Sequence, residues 1–321
     1  MCVELEGRSD MEKSLSGRNG ARSGLKAAIA AYTAWGLLPV FWKLLGGVPA
    51  PGILAHRIIW SLVVVAAIMI LQGNRKELMA GFRNVRIAAL LFCSSLFIAA
   101  NWLLYIWAVN AGMVLETSLG YFINPLVTVF FGFVFFRERM DRTRWLAIVI
   151  ASVGVLYQVI QYGNVPWVAL GLALTFAFYA LIRKKVVIDS LPGLFAETFF
   201  LVVPALLFLQ FAGVKYSGTF MAGNIGQDLL LVSAGVVTAL PMVWFAYGAR
   251  RLKLSTIGFL QFISPTLQFI LGVLVFCEPL DATKVVTFVF IWIALGLFTW
   301  GGLAVSRREQ ALIERGSDVD A

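Results

Sequence analysis

Long apolar runs separated by short polar connections fill most of the chain. Ten runs of near-membrane length stand out: Leu25–Leu45, Gly52–Leu71, Ile87–Val109, Val114–Phe136, Trp145–Gln161, Val165–Ile182, Pro192–Phe211, Leu229–Gly248, Leu254–Cys277 and Val285–Val305. A helix needs about 20 apolar residues to cross a bilayer. No stretch of strand length shows the alternating polarity of an outer-membrane barrel. The pattern predicts an all-α integral membrane protein with ten transmembrane helices.

Composition agrees, with 60% hydrophobic and 13% charged residues and a mean hydropathy of +0.87. That leaves too little polar side chain to cover a soluble surface. The basic residues sort by connection. Arg8, Lys13, Arg18, Arg22 and Lys26 precede the first helix, and Arg75, Lys76, Arg83 and Arg86 follow the second. Arg137, Arg139, Arg142 and Arg144 follow the fourth, Arg183, Lys184 and Lys185 the sixth, and Arg250, Arg251 and Lys253 the eighth. Arg307, Arg308 and Arg315 follow the tenth, while the intervening connections carry only Lys215 and Lys284. This alternation obeys the positive-inside rule and places both termini in the cytoplasm. The net charge of +9 is thereby explained by topology and anionic lipid, without nucleic acid. Residues 1–24 and 306–321 read as polar cytoplasmic tails, the first one disordered and without the apolar core of a cleavable signal. Cys2, Cys93 and Cys277 lack metal-ligand spacing and read as free thiols.

The chain also repeats itself. Residues 121–145 laid over 261–285, a shift of 140, bring Phe122, Ile123, Pro125, Gly132, Glu138, Asp141 and Thr143 onto Phe262, Ile263, Pro265, Gly272, Glu278, Asp281 and Thr283. Two five-helix repeats follow, 25–161 and 165–305. An odd number of helices per repeat inverts one copy relative to the other, the plan of many secondary transporters with a site at the repeat interface. Helix 2 gives a second match at a shift of 141: "PGILAHRIIW" (51–60) lies over "PGLFAETFFL" (192–201), so His56 falls on Glu197. Each lies five residues past its proline, roughly 7–8 Å along a helix.

Charge inside hydrocarbon is costly and defaults to function. His56 and Arg57 therefore read as outer-side, and Glu197 as inner-side, gates of one cavity. The plainer alternative has Arg57 reaching headgroups and Glu197 pairing with a cytoplasmic base. Tyr121, Asn124 and Thr128 form one polar stripe on helix 4, and Gln261, Ser264 and Gln268 form its repeat. These line a shared cavity or hydrogen-bond between helices. Asn101 and Tyr105 lie one turn apart on helix 3, beside Trp102 and Trp107. Trp35, Trp60 and Tyr179 are aromatic candidates for the pocket wall or for packing. Glu116 reads as interfacial. Pro125 and Pro265 read as mid-helix kinks, and Asp141 and Asp281 as N-caps of helices 5 and 10.

One histidine excludes two-histidine metal motifs, and no carboxylate pair has metal spacing. The sequence calls for no enzyme activity, no cofactor and no metal. Its partners are the bilayer and a small-molecule solute; the oligomeric state stays open, a monomer being plausible. A carrier is the main reading. A channel-like or non-transporting membrane protein is the alternative.

"HRIIWS", "NWLLYIWAVN", "SLGYFINPLV", "FAFYALIRKK" and "RLKLSTIGFLQFISPTL" resemble the RarD subgroup of the EamA transporters, in the drug/metabolite transporter superfamily, over about residues 24–306. The resemblance implies a ten-helix carrier of the bacterial inner membrane, with a cavity lined by helices 1–4 and 6–9 and with helices 5 and 10 peripheral. Members often carry an acid just before "ILxHR". Here Pro51 and Gly52 stand in that region, so no role of that acid transfers. The expected mechanism is alternating access, with two repeats rocking around a central site. The cargo is a small metabolite, amino acid or drug-like solute. Proton coupling, if present, would use His56 or Glu197.

Overall fold

In a computed structural model the described residues are 2–137, 142–213, 215, 220–221, 223–249, 251–252, 256–257 and 260–317. Glu138, Arg139, Asp141, Arg250 and Lys253 lie outside them. The elements are α1 (Cys2–Leu44), α2 (Ala50–Leu71), α3 (Val85–Asn110), α4 (Val114–Phe136), α5 (Arg142–Tyr162), α6 (Trp167–Lys184), α7 (Ser190–Phe211), α8 (Ile225–Ala249), α9 (Ile263–Ile270) and α10 (Ala282–Ser317). Among the described residues there is no strand, and nine helices are long and apolar enough to cross a membrane. Large apolar side chains such as Val63, Leu96, Leu156, Val203 and Ile293 are exposed on them, as lipid-facing positions are.

The tenth apolar segment departs from expectation. Among its described residues 256–257 and 260 are helical, 261–262 form a turn, and α9 is a short helix continued by a π-turn, Leu271–Val275. Pro265 explains where α9 starts. It is the third residue of the helix, where its missing N–H would have no intrahelical partner in any case. It therefore follows a break in the helical segment at 261–262, where in a continuous helix its missing N–H would have bonded Gln261 O. Pro125, by contrast, lies inside an unbroken α4. At the other end of the segment Cys277 is left-handed, with φ of 51°. The amino-terminal residues also differ from the expected disordered tail, since α1 runs back to Cys2. No proline interrupts that stretch, and Glu4, Glu6, Glu12, Lys13 and Leu15 are good helix formers. The apolar part of α1 begins at Arg22.

Helix termini are tied by identifiable groups. Asn84 caps α3 by accepting from the N–H of Arg86 (2.8 Å). Asp281 accepts from the N–H of Lys284 (2.9 Å), which bears out its N-cap role on α10. It also accepts from the Tyr162 hydroxyl at the end of α5. Glu278 reaches α4 and accepts from the N–H groups of Val114 (2.6 Å) and Leu115 (2.8 Å). These contacts put the α4, α10 and π-turn termini at one end of the bundle. The connections rich in Arg and Lys lie at the other, here called the basic end.

Few of the close helix pairs fall within one half of the sequence. The main pairs are α1–α8, α1–α9, α2–α7, α2–α8, α3–α6, α3–α7, α4–α6, α4–α9 and α5–α10. Two mixed bundles result: α1, α2, α8 and α9 on one side, and α3, α4, α6 and α7 on the other. They meet along the α2–α7 and α4–α9 seams. Glycines allow the closest approaches. A Cβ on Gly235 of α8 would lie 2.4 Å from the Trp60 backbone of α2, and one on Gly154 of α5 would lie 2.6 Å from Phe290 Cβ of α10. Small residues substitute in this way for a hydrophobic driving force that lipid does not supply. Helices α5 and α10 pack chiefly on each other and touch the rest through α4 and through Phe269 of α9, whose ring meets those of Phe288 and Trp292.

We predict that Glu278→Ala lowers the melting temperature of the detergent-purified protein, because two backbone donors lose a charged acceptor, a loss of about 1.5–3 kcal/mol. Glu278→Gln should fall between, and an unchanged midpoint in both variants would refute the clamp. The Asp281 carboxyl is held below its ordinary value, first by the Tyr162 hydroxyl and next by the Lys284 N–H. Its contribution is therefore present above the unfolded value of about 3.9 and lost as pH falls through the depressed folded value. Asp281→Asn should flatten the acid side of the melting curve against pH.

Candidate functional site

Arg57 is the most unusual side chain in the bundle. It lies on α2, seven residues from the helix start, or about 10 Å along it, and is only 6% exposed. Among the described residues no carboxylate pairs with it, and its Nε and Nη1 have no hydrogen-bond acceptor. Aromatic rings surround it instead. Its Cζ is 4.0 Å from the Trp102 ring centre and 5.1 Å from that of Trp42. Tyr105 and Tyr121 pack in one cluster with Trp42, and their rings meet edge-on at 5.5 Å.

Arg57 and Trp42 belong to one mixed bundle. Trp102, Tyr105 and Tyr121 belong to the other. The guanidinium thus reaches across the seam between them. Further unbonded polar atoms cluster nearby in sequence and depth: Tyr105 Oη, Trp42 Nε1 and, one turn along α2, Trp60 Nε1 and Ser61 Oγ. Apolar clusters close the cage on both sides. Trp42 and Tyr105 pack with Leu45, Val48, Val109 and Val114 toward the non-basic end. Trp102 packs with Val65, Leu194 and Met69 toward the basic end. Met69 also lines an open pocket of about 250 Å³ between the ends of α2, α7 and α8, together with Gln72, Asp189, Tyr247 and Arg251.

His56 is adjacent in sequence but faces elsewhere. It is buried with its ring 4.6 Å from that of Phe220, in the α7–α8 connection, because consecutive residues point about 100° apart on a helix. Glu197 is buried near the basic end of α7. It forms an ion pair with Arg183 (3.7 Å) and accepts from Ser94 Oγ (2.7 Å) and Tyr179 Oη (3.4 Å). All of these groups belong to one bundle, so Glu197 crosses no seam. The glycine of "PGLFAE" is now explained: a Cβ on Gly193 would lie 2.3 Å from the Arg183 guanidinium. Arg183 reads from sequence as a cytoplasmic loop charge. The signal that distinguishes it is a glycine inside a helix, beside a proline and one turn before a buried acid.

The remaining expected residues divide. Tyr105 and Tyr121 join the Arg57 cage. Asn101 donates to Leu172 O and Thr175 Oγ1, both at 2.9 Å, and so ties α3 to α6. Asn124 accepts from Thr128 on its own helix (3.3 Å). Gln268 Nε2 donates to Ser264 Oγ (3.3 Å), and Thr117 Oγ1 donates to Gln268 Oε1 (3.4 Å), linking α4 and α9. Gln261 is half-buried in the turn before α9. Trp35 packs with Tyr32 and Phe245. Trp107 is exposed against Trp167, as an interface anchor would be.

The arrangement is that of a buried cation among aromatic rings inside a helical bundle, and the chain has relatives. Residues 22–160 match the model of the EamA-like transporter family. Protein RarD of Salmonella typhimurium is 42% identical, with 90% of this chain aligned to 98% of that protein. The chain belongs to the EamA transporter family. Within it, an uncharacterized transporter, YojE, of Bacillus subtilis is 43% identical over 90% of this chain and 98% of its own. A chloramphenicol-sensitive protein RarD of Pseudomonas aeruginosa is 30% identical over 89% and 96%. A crystal structure at 17% identity superposes with a TM-score of 0.54 over 86% of this chain and 96% of its own, a likeness of fold alone. Membership in the EamA family makes this a multi-pass membrane transporter with a solute cargo, not an enzyme.

Gly193→Ala is expected to push Arg183 off Glu197 and to lower the melting temperature. The double variant Gly193→Ala, Glu197→Gln should melt no lower than Glu197→Gln alone, since the ion pair is already lost. Additive losses would contradict the coupling.

Proposed function

We propose that the protein is a secondary transporter that carries a small organic solute across the bacterial cytoplasmic membrane by alternating access. Its ten apolar segments form two five-helix repeats of opposite orientation, with the basic end and both termini in the cytoplasm. The observation that carries this reading is Arg57, a buried guanidinium without a protein acceptor, held across the seam of two bundles and between two apolar plugs. A charge in such a place favours function over packing.

The packing pattern supports the repeats. Exchanging each helix of α1–α5 with the one five places later turns α1–α8 into α3–α6, α1–α9 into α4–α6, and α2–α8 into α3–α7, all of which are close pairs. The pairs α2–α7, α4–α9 and α5–α10 map onto themselves. Basic connections at one end support the orientation, and bacterial relatives support the membrane assigned.

The interleaving also revises what moves. Sequence repeats that share most of their contacts cannot rock as separate bodies. The two mixed bundles can, opening at the seam where Arg57 lies. Helices α5 and α10, bound mainly to each other, stay outside that motion. In this reading the Leu45–Val114 cluster is the outer gate. The Val65–Met69–Leu194 cluster is the inner gate, above the pocket at the basic end. Glu197 and Arg183 brace one bundle at its inner end, and His56 stands outside the cage.

Purified protein in sealed liposomes should give saturable flux and counterflow with a solute found by thermal-shift screening. Arg57→Ala should abolish both while inserting normally. Linear, unsaturable flux, or wild-type flux in Arg57→Ala, would overturn the proposal.

A further inference from the structure

We infer that the cargo is an organic monocarboxylate with a flat apolar body and that Arg57 binds its carboxylate; this deepens the transporter reading and rests on it. Guanidinium and indole nitrogens donate and never accept. Arg57, Trp42 and Trp60 all carry such nitrogens, buried and without an acceptor, and the Tyr105 and Ser61 hydroxyls are unbonded as well. Arg57, Tyr105, Ser61 and Trp42 are each more than nine-tenths buried. The ligand that completes this set supplies acceptors.

Orientation narrows the chemistry. Trp102 takes the guanidinium at 4.0 Å from its ring centre, and a cation over a ring face is held by the ring's quadrupole. The N–H groups lie in the guanidinium plane, in the fork geometry that receives a carboxylate by two parallel hydrogen bonds. The Trp42 ring, 5.1 Å from the cation, and the Tyr105 and Tyr121 rings that pack with it offer surface to a planar body.

Charge narrows it further. The cage holds one cation, and among the described residues no acid pairs with it. A monoanion cancels that charge. A phosphate monoester, with about two negative charges near neutral pH, would leave one in excess. An amino acid would bring an ammonium group with no anion to receive it. Among the described residues of the spans the acid as buried as Arg57 is Glu197, already held by Arg183, Ser94 and Tyr179, while Glu116, half-buried, lies in the first turn of α4 at the non-basic end. Lys43, the nearest basic residue on α1, donates to Asn110 O at the helix end (3.4 Å). The cage therefore selects against zwitterions as well as against neutral solutes.

The test uses the purified full chain in detergent and three aromatic monocarboxylates: benzoate, phenylacetate and indole-3-acetate. At least one should raise the melting temperature and quench tryptophan fluorescence in a saturable way, since Trp42 and Trp102 line the cage. Phenylacetamide, phenylalanine and phenylsuccinate should do neither at the same concentration. Arg57→Gln should weaken acid binding by roughly 10- to 100-fold, the loss expected for a charged hydrogen-bonded partner. Arg57→Lys should retain part of it, so a response in that variant guards against a folding defect in the first. Saturable counterflow of phenylalanine or of the amide, with no response to any of the acids, overturns the monocarboxylate assignment and leaves the transporter reading standing. Absence of counterflow with every solute in the panel and in the screen overturns both.

Discussion

One guanidinium out of water sets the terms for this bundle. Placing arginine at mid-membrane costs about 2.5–3.5 kcal/mol on insertion scales. Two ring faces, at about 0.5–2 kcal/mol each, offset most of that. The chain can therefore fold around Arg57 with no acidic partner. What the rings cannot supply is acceptors for the N–H groups, and each buried orphan costs about 1–3 kcal/mol. In the proposed function that unmet demand is what the solute's acceptors satisfy. The arrangement of the other helices follows from it: rings from α3 and α4 must face α2, so the two bundles must meet there.

The repeats proposed for the two halves of the chain differ in chemistry. At a shift of 141, Arg57 falls on Thr198 and His56 on Glu197. Thr198 satisfies itself by donating to Leu194 O (2.8 Å) one turn back, and Glu197 is satisfied by Arg183 within its own bundle. Only the first half leaves a charge unmet at the seam. In the proposed reading, two related scaffolds supply matched packing surfaces and divergence leaves the unpaired cation in one of them. The same divergence marks Pro125 and Pro265. The first stays inside a long helix and the second follows a break at 261–262.

Much of this was legible in the sequence, for physical reasons. Because lipid requires every backbone group to bond within its own segment, nine of the ten apolar runs lie in helices long and apolar enough to span a membrane, though α1 begins well before its run and α10 ends well after its own. Asp281 acts as the cap its position implied. The ninth run is broken by a turn at 261–262 and ends in a π-turn, neither of which hydropathy registers. At the site, Arg57, Tyr105 and Tyr121 were found as polar groups in apolar helices. Trp42 was missed because tryptophan at a helix end reads as an interface anchor. Arg183 was missed because a basic residue in a last turn reads as a loop charge. Asn101, Ser264 and Gln268 were polar in the right places, yet they bond between neighbouring helices or along their own, as Asn124 does. Spacing alone cannot separate a cavity wall from a helix clamp.

The central claim is that the seam beside Arg57 opens to each side of the membrane in turn. Cysteine accessibility tests it most directly, with Ser61→Cys placed one turn from Arg57 in a chain whose Cys2, Cys93 and Cys277 are serine. A membrane-impermeant thiol reagent should label that cysteine in right-side-out vesicles and again in inside-out vesicles. A bound aromatic carboxylate should protect it in both. Labelling from neither side, in protein that still transports, would contradict the account.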